Sequence, residues 1–179
     1  MKKSDSAKDD RREFLEKAGS ICAGCAMLGV PAAAGIAVVL DPLRLPPKDA
    51  EFIDVTTLDS LPPDGTPQKY VIKADKQDAW SRFPDRVIGA VYLRRLKNDT
   101  IQAFNVVCPH LGCAIEYRDV EKDYFCPCHN SDFALEDGAQ GRGSPSARPL
   151  DSLETKVEEG QVWVKFQNFQ TGIAEKKPA

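Results

Sequence analysis

Both histidines of the chain and four of its six cysteines fall within residues 108–131. They form two short boxes separated by a 12-residue spacer, Cys108-Pro109-His110-Leu111-Gly112-Cys113 and Cys126-Pro127-Cys128-His129-Asn130-Ser131. Each box brings a thiolate and an imidazole to one point from a tight loop. Together the boxes can supply two cysteines and two histidines to a metal centre. A structural zinc ion and a [2Fe–2S] cluster can both be held by such a set.

The cysteines left over in each box favour the iron–sulfur cluster. Cys113 follows Cys108 by five residues, and Cys128 lies between Cys126 and His129 in the second box. A zinc finger has no use for this matched pair, whereas an exported domain can bridge it and clamp its two loops together. The sequence therefore favours a cluster, provided that the domain is exported.

The N-terminal region predicts export and a membrane anchor. Residues 1–17 are polar and carry six Lys or Arg, and the uncharged residues 18–40 follow them. A helix of these 23 residues would reach ~34 Å, enough for the ~30 Å hydrocarbon core of a bilayer. The run Asp10-Arg11-Arg12-Glu13-Phe14-Leu15 resembles the twin-arginine signal, which exports proteins that are already folded.

We expect this signal to remain as an uncleaved anchor. Residues 32–34 are three alanines that resemble a small-residue cleavage site, which is the alternative. The apolar run nevertheless continues to Leu40, and a cleaved signal has no need of that continuation. The excess of Lys and Arg before the span predicts a cytoplasmic N-terminus, with residues 41–179 on the periplasmic side of a prokaryotic membrane. Cys22 and Cys25, inside the span, are expected to be ordinary helix residues, with a redox role as the alternative.

Four parts of the chain are therefore predicted. Residues 1–17 are a cytoplasmic signal region, and residues 18–40 are a transmembrane anchor. Residues 41–49 contain three prolines and predict an extended tether. That tether is either a passive linker or a hinge for the exported domain. Residues 50–179 form the exported domain.

The exported domain is predicted to be all-β. Its β-branched and aromatic runs are short and are bounded by turn residues, notably at Pro62–Gly65, Lys97–Asp99 and Glu158–Gly160. No long 3.6-residue periodicity indicates a helix, so we expect a small antiparallel sandwich or barrel. The strands are predicted over Glu51–Leu58, Lys69–Lys73, Val87–Leu93, Ile101–Val107, Lys156–Val157 and Val162–Phe166.

Composition excludes several classes of function. The net charge is only −3, with 28% charged residues, so the chain offers no basic surface for nucleic acid. A hydrophobic content of 42% rules out a wholly disordered chain. Two histidines cannot hold both a cluster and the mononuclear iron of a non-haem oxygenase. The sequence contains neither a phosphate-cradling glycine loop nor a nucleophile elbow.

The two boxes resemble those of the Rieske iron–sulfur protein of cytochrome bc-type quinol-oxidising complexes. The resemblance extends over the anchor, the tether and the β domain. It implies a Rieske-type antiparallel β-sandwich with one [2Fe–2S] cluster, a cluster-binding subdomain over about residues 106–149 and one preceding transmembrane helix. Phe169-Gln170-Thr171-Gly172 is similar to the Phe-Arg-Thr-Gly of Rieske subunits in photosynthetic plastocyanin-reducing complexes.

The resemblance implies the ligands and the disulfide. Cys108 and Cys126 would bind one iron, and His110 and His129 would bind the other. Cys113 and Cys128 would then form a disulfide. Neutral imidazoles in place of two thiolates make the cluster less negative, so that it accepts an electron more readily.

The resemblance also implies which groups surround the cluster. Leu111, Ser131 and Phe133 would lie around it, with the Ser131 hydroxyl donating to a bridging sulfide. Phe133 stands where high-potential members carry a Tyr that donates to a ligand cysteine. A lower potential is therefore expected, matched to a menaquinol-like quinol. Three departures from the family pattern concern loop geometry: Pro109 replaces Thr, Asn130 replaces Gly, and residues 143–146 match the covering Gly-Pro-Ala-Pro loop only loosely.

The implied function is electron transfer within a quinol–cytochrome c or plastocyanin-type reductase. His129, and with it His110, would take part in proton-coupled electron transfer from a quinol held by a cytochrome b subunit. The electron would pass to a c-type cytochrome, so the chain would have no complete activity alone. The alternative is the Rieske small subunit of a periplasmic molybdenum enzyme such as arsenite oxidase. A free Rieske ferredoxin serving oxygenases is disfavoured by export and by the second pair of cysteines.

Overall fold

A computed structural model describes residues 3–41, 50–77 and 81–179, with side chains from residue 11 onward except at 76 and 77. The chain divides into two units, Met1–Pro47 and Lys48–Ala179. The predicted tether, apart from Asp41, lies outside the described residues. The four-part division of the chain therefore stays a prediction.

The first unit contains one helix, α1 (Lys3–Leu40). It ends where the apolar run was predicted to end, and its section Arg11–Leu40 is long and apolar enough to cross a membrane. The helix begins earlier than predicted, within the charged signal region. Two ion pairs between residues one turn apart stabilise the charged part of the helix: Arg12–Glu16 at 3.1 Å and Lys17–Glu13 at 2.6 Å. A proline inside the helix, Pro31, is tolerated in membrane helices.

Nine antiparallel strands form two sheets in the described part of the second unit. The strands are β1 (Phe52–Thr57), β2 (Gln68–Gln77), β3 (Arg82–Arg95), β4 (Ile101–Asn105), β5 (Glu116–Arg118), β6 (Asp123–Cys126), β7 (Ser131–Ala134), β8 (Ser152–Glu158) and β9 (Gln161–Lys165). The larger sheet has the order β1-β9-β8-β4-β3-β2, and the smaller has the order β5-β6-β7. The smaller sheet is therefore an insertion between β4 and β8.

Strand β3 separates two hydrophobic cores because its side chains alternate between its faces. Val91 and Leu93 are fully buried in the core of the larger sheet, whereas Tyr92 between them enters the core of the smaller sheet. In that second core Tyr124 of β6 packs 5.2 Å from the ring of Tyr92 and 5.7 Å from that of Phe104. The backbone amide of Tyr117 also donates to the Tyr92 hydroxyl at 3.0 Å. These contacts attach the inserted sheet rigidly to the larger one.

The all-β prediction is confirmed, and each predicted strand lies on an observed one. The observed β2 and β3 extend beyond the predicted runs into a long hairpin. There, charged residues such as Arg82 and Asp85 lie in a strand exposed to solvent, so no hydrophobic alternation marks this part of the hairpin. Strand β4 ends at Asn105, two residues before its predicted end. Strands β5 to β7 were not predicted, because runs of three or four residues carry too little pattern.

Candidate metal-cluster site

The first box forms a closed loop after β4. Val107 pairs with Ala114 across its base, and the amide of Cys108 donates to the carbonyl of Cys113 at 2.8 Å. Gly112 has φ +83° and donates its amide to the Cys108 carbonyl at 2.9 Å. This loop turns the Cys108 side chain into the core, where the residue is 1% exposed, and leaves Leu111 61% exposed at the tip.

The second box is the turn of the β6–β7 hairpin. Cys126 ends β6 and pairs with Ser131, the first residue of β7. Both side chains are buried, whereas His129 and Asn130 in the turn are exposed. Asn130 has φ +55°, a conformation that Gly adopts freely and that Asn tolerates better than most residues. The departure from Gly at this position is therefore compatible with the turn.

A disulfide between Cys113 and Cys128 joins the two loops. It is the pairing that the family resemblance implies. The rings of His110 and His129 lie edge to face, with centroids 4.7 Å apart. The structure thus brings together both histidines and all four cysteines of the boxes, with cysteines 108 and 126 buried and unbonded.

The groups at this site fit a [2Fe–2S] cluster. The sulfurs of Cys113, Cys126 and Cys128 lie within 4.8 Å of one another, but the disulfide uses two of them and leaves Cys126 free as a thiol. The hydroxyl of Ser131 is buried near the Cys108 thiol and has no other hydrogen-bond partner among the described residues, so it can donate to a bound group. Two free thiols, two imidazoles and this buried hydroxyl match the donor set of a Rieske cluster.

Burial also affects the ionisation of the Cys108 thiol. It raises the pKa of the Cys108 thiol, and the nearby Cys126 adds to that rise. The thiol is therefore protonated near neutral pH, and a metal must displace its proton on binding. Metal loading of this site releases protons for that reason.

Two aromatic residues of the hairpin lie beside the buried cysteines. Phe133 is 1% exposed and belongs to the same core as Cys108 and Cys126, and its side chain has no hydroxyl. Tyr124 is its cross-strand partner. The Tyr124 hydroxyl is buried without a partner among the described residues, and burial raises the pKa of Tyr124 far above its ordinary value.

The third loop and the motif at 169–172 also take defined positions. Gly143 has φ +84°, and the amide of Ser144 donates to the Gly141 carbonyl at 3.2 Å, so residues 141–144 form a turn. Its predicted place over the cluster stays a prediction. The amide of Gly172 donates to the Pro109 carbonyl at 2.9 Å, which places the 169–172 motif against the first box.

Sequence reasoning missed one charged pair in this region. Arg148 and Asp151 form a two-pronged ion pair with distances of 3.0 and 2.8 Å, and each side chain is only 5% exposed. Opposite charges three residues apart are common on protein surfaces. The sequence therefore gave no signal that this pair is buried.

Comparison with known proteins is consistent with this geometry. A family model for the Rieske [2Fe-2S] domain matches residues 54–154. The menaquinol:cytochrome c reductase iron–sulfur subunit of Bacillus subtilis (strain 168) is 30% identical over 129 residues, which are 70% of this chain and 73% of that protein. The chloroplastic cytochrome b6-f complex iron–sulfur subunit of Pisum sativum is 37% identical over 90 residues, 46% of this chain and 38% of that protein.

A solved structure also aligns with the chain. It is the cyanobacterial plasma-membrane Rieske protein of Synechocystis PCC 6803, with 24% identity and a TM-score of 0.47. The alignment covers 64% of this chain and 99% of that one.

Loss of the disulfide is expected to weaken the site without removing a ligand. The bond joins residues separated by 15 positions, and closing a loop of that length stabilises a fold by about 3 kcal/mol. Replacing Cys113 with Ser should leave a cluster that assembles in lower yield or decays faster, measured by iron content and EPR over time. Cys25→Ser, which removes a free cysteine of α1, is the control. A Cys113→Ser cluster as abundant and as durable as that of the control would contradict this role.

Proposed function

This chain belongs to the Rieske [2Fe–2S] family, and we propose that it is the iron–sulfur subunit of a membrane quinol–cytochrome c reductase. The observation that carries the proposal is the arrangement of two buried thiols and two outward histidines in loops joined by a disulfide. The proposal is also supported by a helix in the same chain that is long enough to cross a membrane. It is further supported by the relatives named as subunits of menaquinol:cytochrome c reductase and of cytochrome b6-f complexes. The names of these relatives favour this function over the molybdenum-oxidase alternative.

We assign four ligands. Cys108 and Cys126 are free and buried at the ends of β-structure, so they would hold one iron of the cluster. His110 is half-buried and His129 is exposed, and they would hold the other iron. The disulfide removes the other two box cysteines from competition for iron.

The bound cluster supplies a carrier that takes up and gives back one electron. The chain supplies the proton site beside it. Each imidazole that binds a metal through one ring nitrogen leaves the other for a hydrogen bond. Because His129 is exposed in the turn, its outer nitrogen, once it has lost its own proton, can accept the hydrogen bond of a quinol hydroxyl and then hold that proton. His110 presents a second such nitrogen in the neighbouring loop.

The surroundings of the histidines suit docking against a partner. Leu111 follows His110 at the tip of the first box and is 61% exposed. An apolar side chain at this position would exclude water from the histidines when a cytochrome b subunit covers the tip. We propose that the same tip later meets a c-type cytochrome. The tether at residues 41–49 would permit that exchange of partners.

Orientation in the membrane follows from charge. The section of α1 before the apolar run carries Arg11, Arg12 and Lys17, so we propose that this end stays in the cytoplasm. The β domain then lies on the periplasmic side, where a disulfide persists. We propose that α1 remains as an uncleaved anchor.

The ligand assignment predicts a clear spectroscopic loss. Replacing His129 or Cys126 with Ala should abolish the low-g EPR signal of the reduced cluster and the quinol–cytochrome c reductase activity of membranes. Cys25→Ala removes a cysteine outside the site and should retain both. A full signal in either ligand variant would contradict the assignment.

The topology can be tested at the paired arginines. Changing Arg11 and Arg12 together to Lys preserves the positive charge but should block export, leaving the β domain accessible to protease only after cell lysis. Lys17→Arg alters a nearby cation conservatively and should leave export intact. Mature protein beginning near Gly35, determined by N-terminal sequencing, would contradict the anchor.

The potential is expected to depend on hydroxyl donors near the cluster. A hydrogen bond to the cluster or to a ligand sulfur stabilises the more negative, reduced form, and a net ~0.5–1.5 kcal/mol corresponds to roughly 20–65 mV for one electron. Phe133→Tyr should therefore raise the midpoint potential by about this amount, and Ser131→Ala should lower it similarly. The absent hydroxyl at Phe133, together with the relatives named for menaquinol, supports a low-potential quinol as the substrate.

A matched control separates this effect from a general change in hydrophobicity. Phe125 lies one residue from Cys126 on the opposite face of β6, against Arg118. Phe125→Tyr adds the same hydroxyl away from the buried cysteines and should leave the potential unchanged. The proposal of a low-potential quinol fails if Phe133→Tyr, with its cluster intact by EPR at fixed pH, also leaves the potential unchanged.

A further inference from the structure

The segment that follows β9, residues 167–179, folds back on itself as an irregular strap. Phe169 pairs with Pro178, and the amide of Gln170 donates to the Lys177 carbonyl at 2.9 Å. This segment, here called the strap, contains no helix or strand. Its own contacts therefore give it little stability, and its position depends on the residues that hold it.

One support is Asn105, at the end of β4, which is 1% exposed. Its side-chain amide nitrogen donates to the Gln167 carbonyl at 2.9 Å. Its side-chain oxygen accepts from the amide of Val107 at 3.0 Å. One buried side chain thus connects the beginning of the strap to the beginning of the first box.

The second support is the buried pair of Arg148 and Asp151. Besides the two bonds to the carboxylate, the guanidinium donates to the carbonyls of Ile173 at 2.6 Å and Gln170 at 2.8 Å. An arginine side chain has five hydrogen-bond donors in a fixed planar arrangement. Arg148 makes four hydrogen bonds with them, two to the Asp151 carboxylate and two to the strap. Burying an ion pair costs desolvation free energy, and apolar side chains of similar volume often stabilise a core as well or better. The role of this pair is therefore to fix the position of the strap that it bonds.

The part of the strap that Arg148 holds, residues 170–173, lies against the loop that carries His110. The Gly172 amide donates to the carbonyl of Pro109, and a Cβ placed on Gly172, whose φ is +76°, would lie 3.6 Å from the His110 carbonyl oxygen. The methyl group of Thr171 lies 3.7 Å from the position that a Cβ on Gly112 would occupy. The strap therefore covers the first box along its backbone, and the disulfide holds the same box at Cys113.

We infer that Arg148 is a positioning residue for His110, acting through the strap. The inference rests on the proposed assignment of His110 as a ligand. Arg148 fixes Gln170 and Ile173, these fix Gly172 between them, and Gly172 fixes the backbone of Pro109 beside His110. The disulfide acts at a different point of the box, Cys113, which follows His110 by three residues.

The test compares backbone opening in the two boxes of the full-length, cluster-loaded protein in detergent. Arg148→Met alone would leave the Asp151 carboxylate buried without a partner, so the informative variant combines Arg148→Met with Asp151→Leu. Hydrogen exchange measured by mass spectrometry should be about tenfold faster in peptides covering residues 106–115 and unchanged in those covering residues 124–133. The EPR line of the reduced cluster should broaden, because the His110 ring would adopt several orientations.

Lys177→Met is the matched control, because it removes an exposed cation of the strap that pairs only with Glu175 among the described residues. It should change neither the exchange nor the EPR line. Exchange that stays at the wild-type rate in residues 106–115 of the double variant would overturn the inference. Equal acceleration in both boxes would also overturn it, since that result indicates a general loss of stability. Failure of the ligand assignment is separate, since it appears as a retained EPR signal in His110→Ala.

Discussion

The site depends on one constraint: two loops of the chain must meet so that Cys108 and Cys126 are buried while the histidines reach the surface. The disulfide between Cys113 and Cys128 imposes the meeting. The register of the β6–β7 hairpin then places Cys126 and Ser131 side by side facing the core. Because side chains alternate along a strand, a shift of one residue would turn both toward solvent. The pairing register of the hairpin therefore decides whether these two side chains can reach the site.

The rest of the β domain serves to hold these loops still. The aromatic layer of Tyr92, Phe104 and Tyr124 fixes the small sheet on the large one, and its tight ring contacts leave little room for adjustment. The first box is fixed from three sides: by its own backbone hydrogen bonds, by the disulfide and by the strap. A rigid frame of this kind suits the proposed function, in which an imidazole would hold a proton repeatedly in the same geometry.

The sequence predicted those features whose determinants are local. The boxes were found because cysteine and histidine at these spacings have few other uses, and the apolar run ending at Leu40 marks the end of α1 correctly. The alternating residues of β9 likewise predicted a strand. Strands β5 to β7 were not found, because they are too short to carry a pattern and depend on the larger sheet for their burial. Arg148 was missed because its partners at Gln170 and Ile173 are backbone carbonyls more than twenty residues away, which leave no mark in a sequence.

The most direct test of this account is a count of the nitrogen ligands in the reduced, full-length protein. Pulsed EPR detects the coupling between the cluster's unpaired electron and the nitrogen of each bound imidazole. The account predicts two distinct strong nitrogen couplings, one from His110 and one from His129, with Cys113 and Cys128 resistant to thiol-labelling reagents because they are joined. A [2Fe–2S] spectrum without such couplings, together with labelling of Cys113 and Cys128 after unfolding, would indicate ligation by cysteines alone and would contradict it.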